Sequence, residues 1–205
     1  MPRLLAIGDI HGCFDKFKKL MDAINWKPAE DTLVFMGDYV DRGPDSAGVI
    51  EYIIELKRQS GNLICLMGNH EQLFLEYLGG QANQIFFLNG GLDTLASYGG
   101  DRHIPDSHIE FLNSLLPYYE TDEYIFAHAG LRDGIPLSKQ SLKDLLWIRE
   151  EFILSDYDHG KRIIFGHTPV AKPLIQENKI GIDTGAVYGG MLSCVDLPGL
   201  VFYSV

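Results

Sequence analysis

The first half of the chain repeats one hydropathy pattern three times: a short apolar run, a Gly-Asp or Gly-Asn turn, then apolar residues at helical spacing. Leu4-Leu5-Ala6-Ile7 leads into Gly8-Asp9-Ile10-His11-Gly12. Beyond it Phe14, Phe17, Leu20, Met21 and Ile24 share one helical face, which predicts a helix over Phe14–Ile24. Thr32-Leu33-Val34-Phe35-Met36 leads to Gly37-Asp38 and Asp41-Arg42-Gly43-Pro44, and a second helix is predicted from Ser46 to about Gln59. Leu63-Ile64-Cys65-Leu66-Met67 leads to Gly68-Asn69-His70-Glu71, followed by a predicted helix over Gln72–Leu78. Continuous apolar runs alternating with helices predict a mostly parallel sheet buried on both faces. In such sheets the binding residues collect beyond the carboxyl ends of the strands, where all three turns fall.

Residues 79–122 break the pattern. Gly79-Gly80, Gly90-Gly91 and Gly99-Gly100 punctuate short helical stretches, so a helical excursion is expected there, serving as a lid or substrate wall. The second half is richer in strands. Tyr124-Ile125-Phe126-Ala127 ends at His128, and Arg162-Ile163-Ile164-Phe165-Gly166 ends at His167. Leu174–Gln176, Lys179–Asp183, Leu192–Leu197 and Leu200–Ser204 follow as predicted strands. Two packed sheets flanked by helices, an α/β arrangement, account for this order. A length of 205 residues fits one domain, expected to span residues 1–205.

Composition narrows the partners. Hydrophobic content of 46% with 22% charged residues is that of a folded domain. The formal net charge of -11 disfavours a nucleic-acid binder, which carries a basic face. Three cysteines, Cys13, Cys65 and Cys194, form no CxxC pair, so neither a disulfide framework nor a thiolate zinc site is expected. No run approaches the ~20 apolar residues of a membrane span. The few residues ahead of Asp9 leave little room for a cleavable signal. An unprocessed cytoplasmic protein is the expectation.

The strand ends carry the chemistry. Asp9, His11, Asp38, Asn69, His128 and His167 offer two carboxylates, three imidazoles and an amide oxygen. A mixed oxygen and nitrogen set without thiolate suits manganese, iron, zinc or cobalt. Six ligands exceed the needs of one tetrahedral ion. They suit two divalent ions sharing Asp38, at the ~3.5–4 Å separation of two-metal hydrolases. Any one such turn alone would be an ordinary turn; five strand-ending elements with complementary ligands are not a coincidence.

Gly8-Asp9-Ile10-His11-Gly12, Gly37-Asp38-Tyr39-Val40-Asp41-Arg42-Gly43, Gly68-Asn69-His70-Glu71, His128-Ala129-Gly130 and Gly166-His167 resemble, in order, the signature of the phosphoprotein phosphatase family of calcineurin-like metallophosphoesterases. Leu146-Trp147-Ile148-Arg149 and Asp183-Thr184-Gly185-Ala186-Val187-Tyr188-Gly189-Gly190 resemble its small bacterial serine/threonine phosphatases. The resemblance implies a four-layer α/β/β/α sandwich with a dimetal site at the carboxyl ends of the strands. It implies Asp9, His11 and bridging Asp38 on one ion, and Asp38, Asn69, His128 and His167 on the other. Manganese is the expected metal of bacterial members. A hydroxide bridging the ions would attack phosphorus in line. By the same resemblance His70 protonates the leaving alkoxide with Asp41 holding its imidazole, and Arg42, Asn69 and Arg149 bind the phosphate. Arg149 has a second reading, as the polar edge of a core helix.

Glu71 is expected at a helix start or behind the ligands, and Tyr188 as a wall of the site. His103, His108 and His159 are expected at the surface, and Gly12, Gly43 and Gly130 at close backbone approaches. Hydrolysis of phosphate monoesters, above all phosphoserine and phosphothreonine in proteins, is the leading expectation. Its rivals are symmetrical cleavage of diadenosine tetraphosphate and an inactive metal-bound scaffold.

Overall fold

Alternation along the strands builds the layers. The computed structural model describes residues 2–81, 84–100 and 103–205. The first sheet has the order β10-β9-β1-β2-β3, with β1 (Leu4–Ile7), β2 (Thr32–Phe35) and β3 (Leu63–Cys65) parallel. β9 (Ser193–Leu197) runs antiparallel to β1, and β10 (Val201–Ser204) antiparallel to β9. The second sheet has the order β4-β5-β6-β8-β7. Its centre is parallel: β5 (Tyr124–Ala127), β6 (Arg162–Phe165) and β8 (Lys179–Gly181). β4 (Tyr118–Glu120) and β7 (Leu174–Ile175) close its two edges antiparallel.

Successive residues of a strand face opposite ways, and the clusters of buried residues follow that rule. Leu5, Ile7, Leu33, Phe35, Leu63 and Cys65 pack against α1 (Phe14–Ile24) and α2 (Ser46–Gln59). Ala6, Val34, Leu66, Phe126, Ile164 and Ile180 fill the space between the sheets. Ile125, Ala127, Ile163 and Phe165 pack outward against α7 (Leu142–Trp147) and α8 (Glu150–Ile153), through Leu145 and Phe152. The layers are therefore α/β/β/α, as the hydropathy pattern and the resemblance imply. Among the described residues no helix is long and apolar enough to cross a membrane.

Local chemistry sets the helix ends. α1 buries Phe17, Leu20, Met21 and Ile24 and stops at Asn25, which takes the left-handed conformation common after a helix. At the start of α2 the Asp45 side chain accepts the Gly48 N–H at 2.8 Å, and Lys57 and Arg58 in the last turn complement the helix dipole. α3 (Asn69–Leu78) begins three residues earlier than the hydropathy pattern predicts, so Asn69, His70 and Glu71 form its first turn. The reason is polar: Glu71 folds back to accept the Gly68 N–H at 2.9 Å, a cap that apolar periodicity does not register. Residues 79–122 hold α4 (Gln84–Leu88), α5 (Gly91–Ser97) and α6 (Asp106–Asn113), but close with β4 rather than a helix.

Candidate active site

The carboxyl ends of β1, β2 and β3 meet those of β5 and β6 along one rim, and bonds between the two sheets fix the meeting. Asp9 accepts the His167 N–H at 2.9 Å. His128 bonds the Met36 carbonyl through Nδ1 at 2.8 Å. All six residues expected to bind metal are buried here: Asp9, His11, Asp38, Asn69, His128 and His167.

The chain turns abruptly at this rim. Among the described residues the non-glycine positions with left-handed φ are His11, Asn25, Asp38, Asp41, Arg42, His167 and Leu200. All but Asn25 and Leu200 belong to the site. Such backbone costs roughly 1–3 kcal/mol per residue and persists where surrounding structure enforces it. Two glycines make the enforcement possible. Gly12 has φ +63, and a Cβ on Gly43 would lie 2.0 Å from the His11 carbonyl oxygen. The turns after β1 and β2 thus touch backbone to backbone.

Glu71 is the hub beneath them. Its Oε1 accepts the N–H groups of Tyr39 at 2.8 Å and Val40 at 3.2 Å. Its Oε2 accepts those of Asp38 and Gly68, both at 2.9 Å. Burial, then the Asp38 charge, raises its carboxyl, while these donors, which an ionised carboxylate satisfies best, oppose the rise.

The donor set calls for cations. With its Nδ1 proton given to Met36, His128 turns a bare Nε2 lone pair toward Asn69 Oδ1 at 3.1 Å, His167 Nδ1 at 3.2 Å and Asp38 Oδ1 at 3.4 Å. His11 gives its Nδ1 proton to the Val40 carbonyl at 2.8 Å and turns Nε2 toward Asp38 Oδ2 at 3.4 Å. Asp38 therefore presents one oxygen to each side. Burial lowers His11 to about 3 and His167 to about 2, and lowers His128, so all three imidazoles are neutral and present lone pairs, that of His11 Nε2 being taken up by the Arg42 guanidinium. Burial, then the charges of Asp183 and Asp38, raises Asp9 well above the ordinary carboxylate range. Asp9 Oδ1 and His167 Nε2 are buried without a hydrogen-bond partner among the described residues. Among the described residues two groups gather ligand atoms within 4.8 Å: His11, Asp38 and His70, and Asp38, His128 and His167. His70 stands in the first group where the sequence reading had Asp9; Asp9 joins the rim through His167.

Asp41 Oδ2 is 2.6 Å from His70 Nδ1, and His70 Nε2 faces Asp38 Oδ2 at 3.9 Å. Burial works against an imidazolium here, but Asp38 and Asp41 outweigh it and raise the His70 pKa. Arg42 donates to His11 Nε2 at 2.8 Å and Asn89 Oδ1 at 3.3 Å, and lies 5.5 Å from the ring centre of exposed Tyr188. Arg149 is exposed, stands at the start of α8 and donates to the His167 carbonyl at 3.2 Å, so it borders the site.

The surface expectation fails at both His108 and His159; His108 is buried, 3% exposed, because Tyr98 and Glu51 both bond its ring at 2.8 Å. His103 is exposed, and the His159 side chain is largely covered beside Asp133. Residues the sequence reading missed include Thr94 and Asn89, which bond Asp41 and Arg42. Neither lies in a motif, and nothing in the chain's periodicity marks them.

A model of the calcineurin-like phosphoesterase family matches residues 2–189. The chain is 33% identical over 204 residues to serine/threonine-protein phosphatase 1 of Salmonella typhimurium, covering 92% of this chain and 88% of that protein. It is 30% identical over 230 residues to an asymmetrical bis(5'-nucleosyl)-tetraphosphatase of Bacillus cereus, covering 97% and 92%. A solved structure described as a candidate diadenosine tetraphosphatase superposes with a TM-score of 0.80 at 26% identity, covering 100% of this chain and 95% of that one. With carboxylates, imidazoles and an amide gathered on the shared rim of two sheets, and the family model spanning nearly all of it, this chain belongs to the calcineurin-like phosphoesterase family.

Proposed function

We propose that this protein is a metal-dependent phosphatase of phosphate monoesters, with phosphoserine and phosphothreonine side chains of proteins as substrates. The family is one of metallophosphoesterases, and the inward lone pairs and unpartnered buried atoms described above fit divalent ions. Asp9, His11 and Asp38 would hold one, and Asp38, Asn69, His128 and His167 the other. The set accepts manganese, iron, zinc or cobalt; manganese is the ion we propose. When bound, the pair supplies a water activated at neutral pH and offsets phosphate charge.

The chain's own groups do the rest. Arg42 and Arg149 grip phosphate oxygens, since guanidinium forks match them, and Asn69 contacts the same phosphate. They also supply local positive charge on a chain of net charge -11. His70 gives the proton from Nε2 to the departing oxygen, while Asp41 holds Nδ1.

The observation that carries this reading is the 2.6 Å His70–Asp41 pair at the edge of the cage. A serine or threonine alkoxide leaves badly without a proton, and a positioned acid contributes roughly 10²–10⁴-fold. A nucleotide phosphate leaves well without one. The Salmonella relative's name supports the protein-phosphatase reading. The Bacillus relative's name favours a second reading, dinucleoside tetraphosphate hydrolysis, although its cleavage is named asymmetrical rather than symmetrical. Turnover of a phosphoserine peptide and of diadenosine tetraphosphate by manganese-loaded protein separates the two. The peptide is expected to have the higher kcat/KM; turnover of the dinucleotide alone would overturn the proposal. Phosphate release from no ester at all would return the scaffold reading.

A further inference from the structure

Thr94 sits on α5, outside every motif, and is fully buried beside Asp41 and Ser46. Its hydroxyl donates to Asp41 Oδ1 at 2.6 Å and accepts the Asp41 N–H at 2.8 Å. That N–H is shared with Ser46 Oγ at 3.1 Å. The single Thr94 proton is committed to Asp41, so across the 3.1 Å contact between the two hydroxyls Ser46 donates. Both carboxylate oxygens of Asp41 are then claimed, Oδ1 by Thr94 and Oδ2 by His70. The carboxylate plane cannot turn without breaking one of these bonds. Asp41 is also left-handed at φ 72, and the bonds from its N–H oppose relaxation of that strain.

The same stretch holds the neighbouring residue. The Gly90 carbonyl accepts the Arg42 N–H at 3.4 Å, and Asn89 Oδ1 accepts from the Arg42 side chain. Phe86, stacked on Phe74, anchors the preceding helix α4 in the core.

We infer that Thr94 is a positioning residue for proton delivery: it fixes the Asp41 carboxylate so that the His70 ring stays bonded at Nδ1 and turns Nε2 toward the leaving oxygen. This rests on the reading of His70 as the acid. It gives residues 79–122 a role in chemistry, because α5 supplies the third member of an His70–Asp41–Thr94 relay of hydrogen bonds. No proton leaves Thr94 or Asp41 in the step; the proton moves from His70 Nε2 to the departing oxygen, and solvent restores it.

The test compares wild type, Thr94→Val and Thr94→Ser. Valine keeps the shape without the hydroxyl, and serine keeps the hydroxyl. With manganese-loaded protein, kcat for an alkyl phosphate is expected to fall about 10- to 100-fold in Thr94→Val, the size expected for a lost bond to a charged group. Turnover of 2,4-dinitrophenyl phosphate, whose leaving group needs no proton, is expected to fall by at most about threefold on the same reasoning. Metal content is expected to match wild type, and Thr94→Ser to restore the alkyl rate. Equal losses on both esters, or no loss on either, would overturn the inference.

A second readout does not depend on the acid role. In zinc-loaded protein the His70 Nδ1–H, bonded at 2.6 Å, is expected to give a downfield proton resonance that Thr94→Val loses and Thr94→Ser keeps. Persistence of that resonance in Thr94→Val would refute positioning by Thr94. Failure of His70→Asn to discriminate between the two esters would instead refute the acid role itself.

Discussion

Replacing Glu71 with Gln changes one oxygen to an amide nitrogen at the point where the turns after β2 and β3 are tied together. The carboxylate is fully buried and accepts four backbone N–H groups, from Asp38, Tyr39, Val40 and Gly68. Glutamine has one oxygen, so whichever way its amide points, two of those donors meet another donor. Bonds to a charged group contribute about 1.5–3 kcal/mol each, so the loss of two predicts a destabilisation of about 3–6 kcal/mol. Because the freed donors belong to residues at and beside Asp38, the cage is expected to bind metal more weakly as well. The assay is urea unfolding of the two metal-free proteins at pH ~9, above the value of about 8 to which burial raises the Glu71 carboxyl, extrapolated linearly with the slope compared. A change below about 1 kcal/mol at unchanged slope would be smaller than one such bond. It would mean that Glu71 is protonated and does not hold the turns.

His70→Asn is expected to keep its metals and to slow an alkyl phosphate by roughly 10²–10⁴-fold, with a much smaller loss on an aryl phosphate; equal losses in steady-state assays would speak against proton delivery by His70. Gly43→Ala places a Cβ 2.0 Å from the His11 carbonyl oxygen and 2.8 Å from the Gly12 carbonyl carbon. The backbone holding His11 must then shift, at a cost of roughly 1–3 kcal/mol, and calorimetry should show the lower stability together with weaker metal binding. An unchanged melting temperature would show that this contact has room to give.

The layers were legible because the strands obey a simple rule. Leu4–Ile7 and Leu33 to Phe35 are apolar throughout since both faces of the first sheet are covered, by helices on one side and the second sheet on the other. α1 was equally open to reading, its apolar spacing matching its buried face. The proposed ligand residues were recognisable because each follows a strand within a few positions. Elsewhere the determinants are polar and distant. Glu71 starts α3 early by capping Gly68, and its other bonds reach a turn more than thirty positions away in sequence. β4 lies in a stretch punctuated like a helical excursion, and its place is set by pairing with β5. His108 looks like a surface residue until Tyr98 and Glu51 are brought to it from other helices. Thr94 reaches Asp41 across 53 positions of sequence, and one hydroxyl leaves no periodic mark. The left-handed backbone at His11, Asp38 and His167 is likewise a product of the rim's assembly, since none of these residues favours it strongly alone.

The proposed function requires a cage that would bind two ions through a shared Asp38. Its most direct test is metal stoichiometry measured beside activity. Protein stripped by a chelator is titrated with manganese, and bound metal and phosphate release from a phosphoserine peptide are followed together, in wild type and in Asp38→Ala. The account predicts two ions bound per wild-type chain, activity that returns only as the second site fills, and loss of both metal and turnover in Asp38→Ala. Full turnover by the stripped protein, or normal metal binding and turnover in Asp38→Ala, would contradict it.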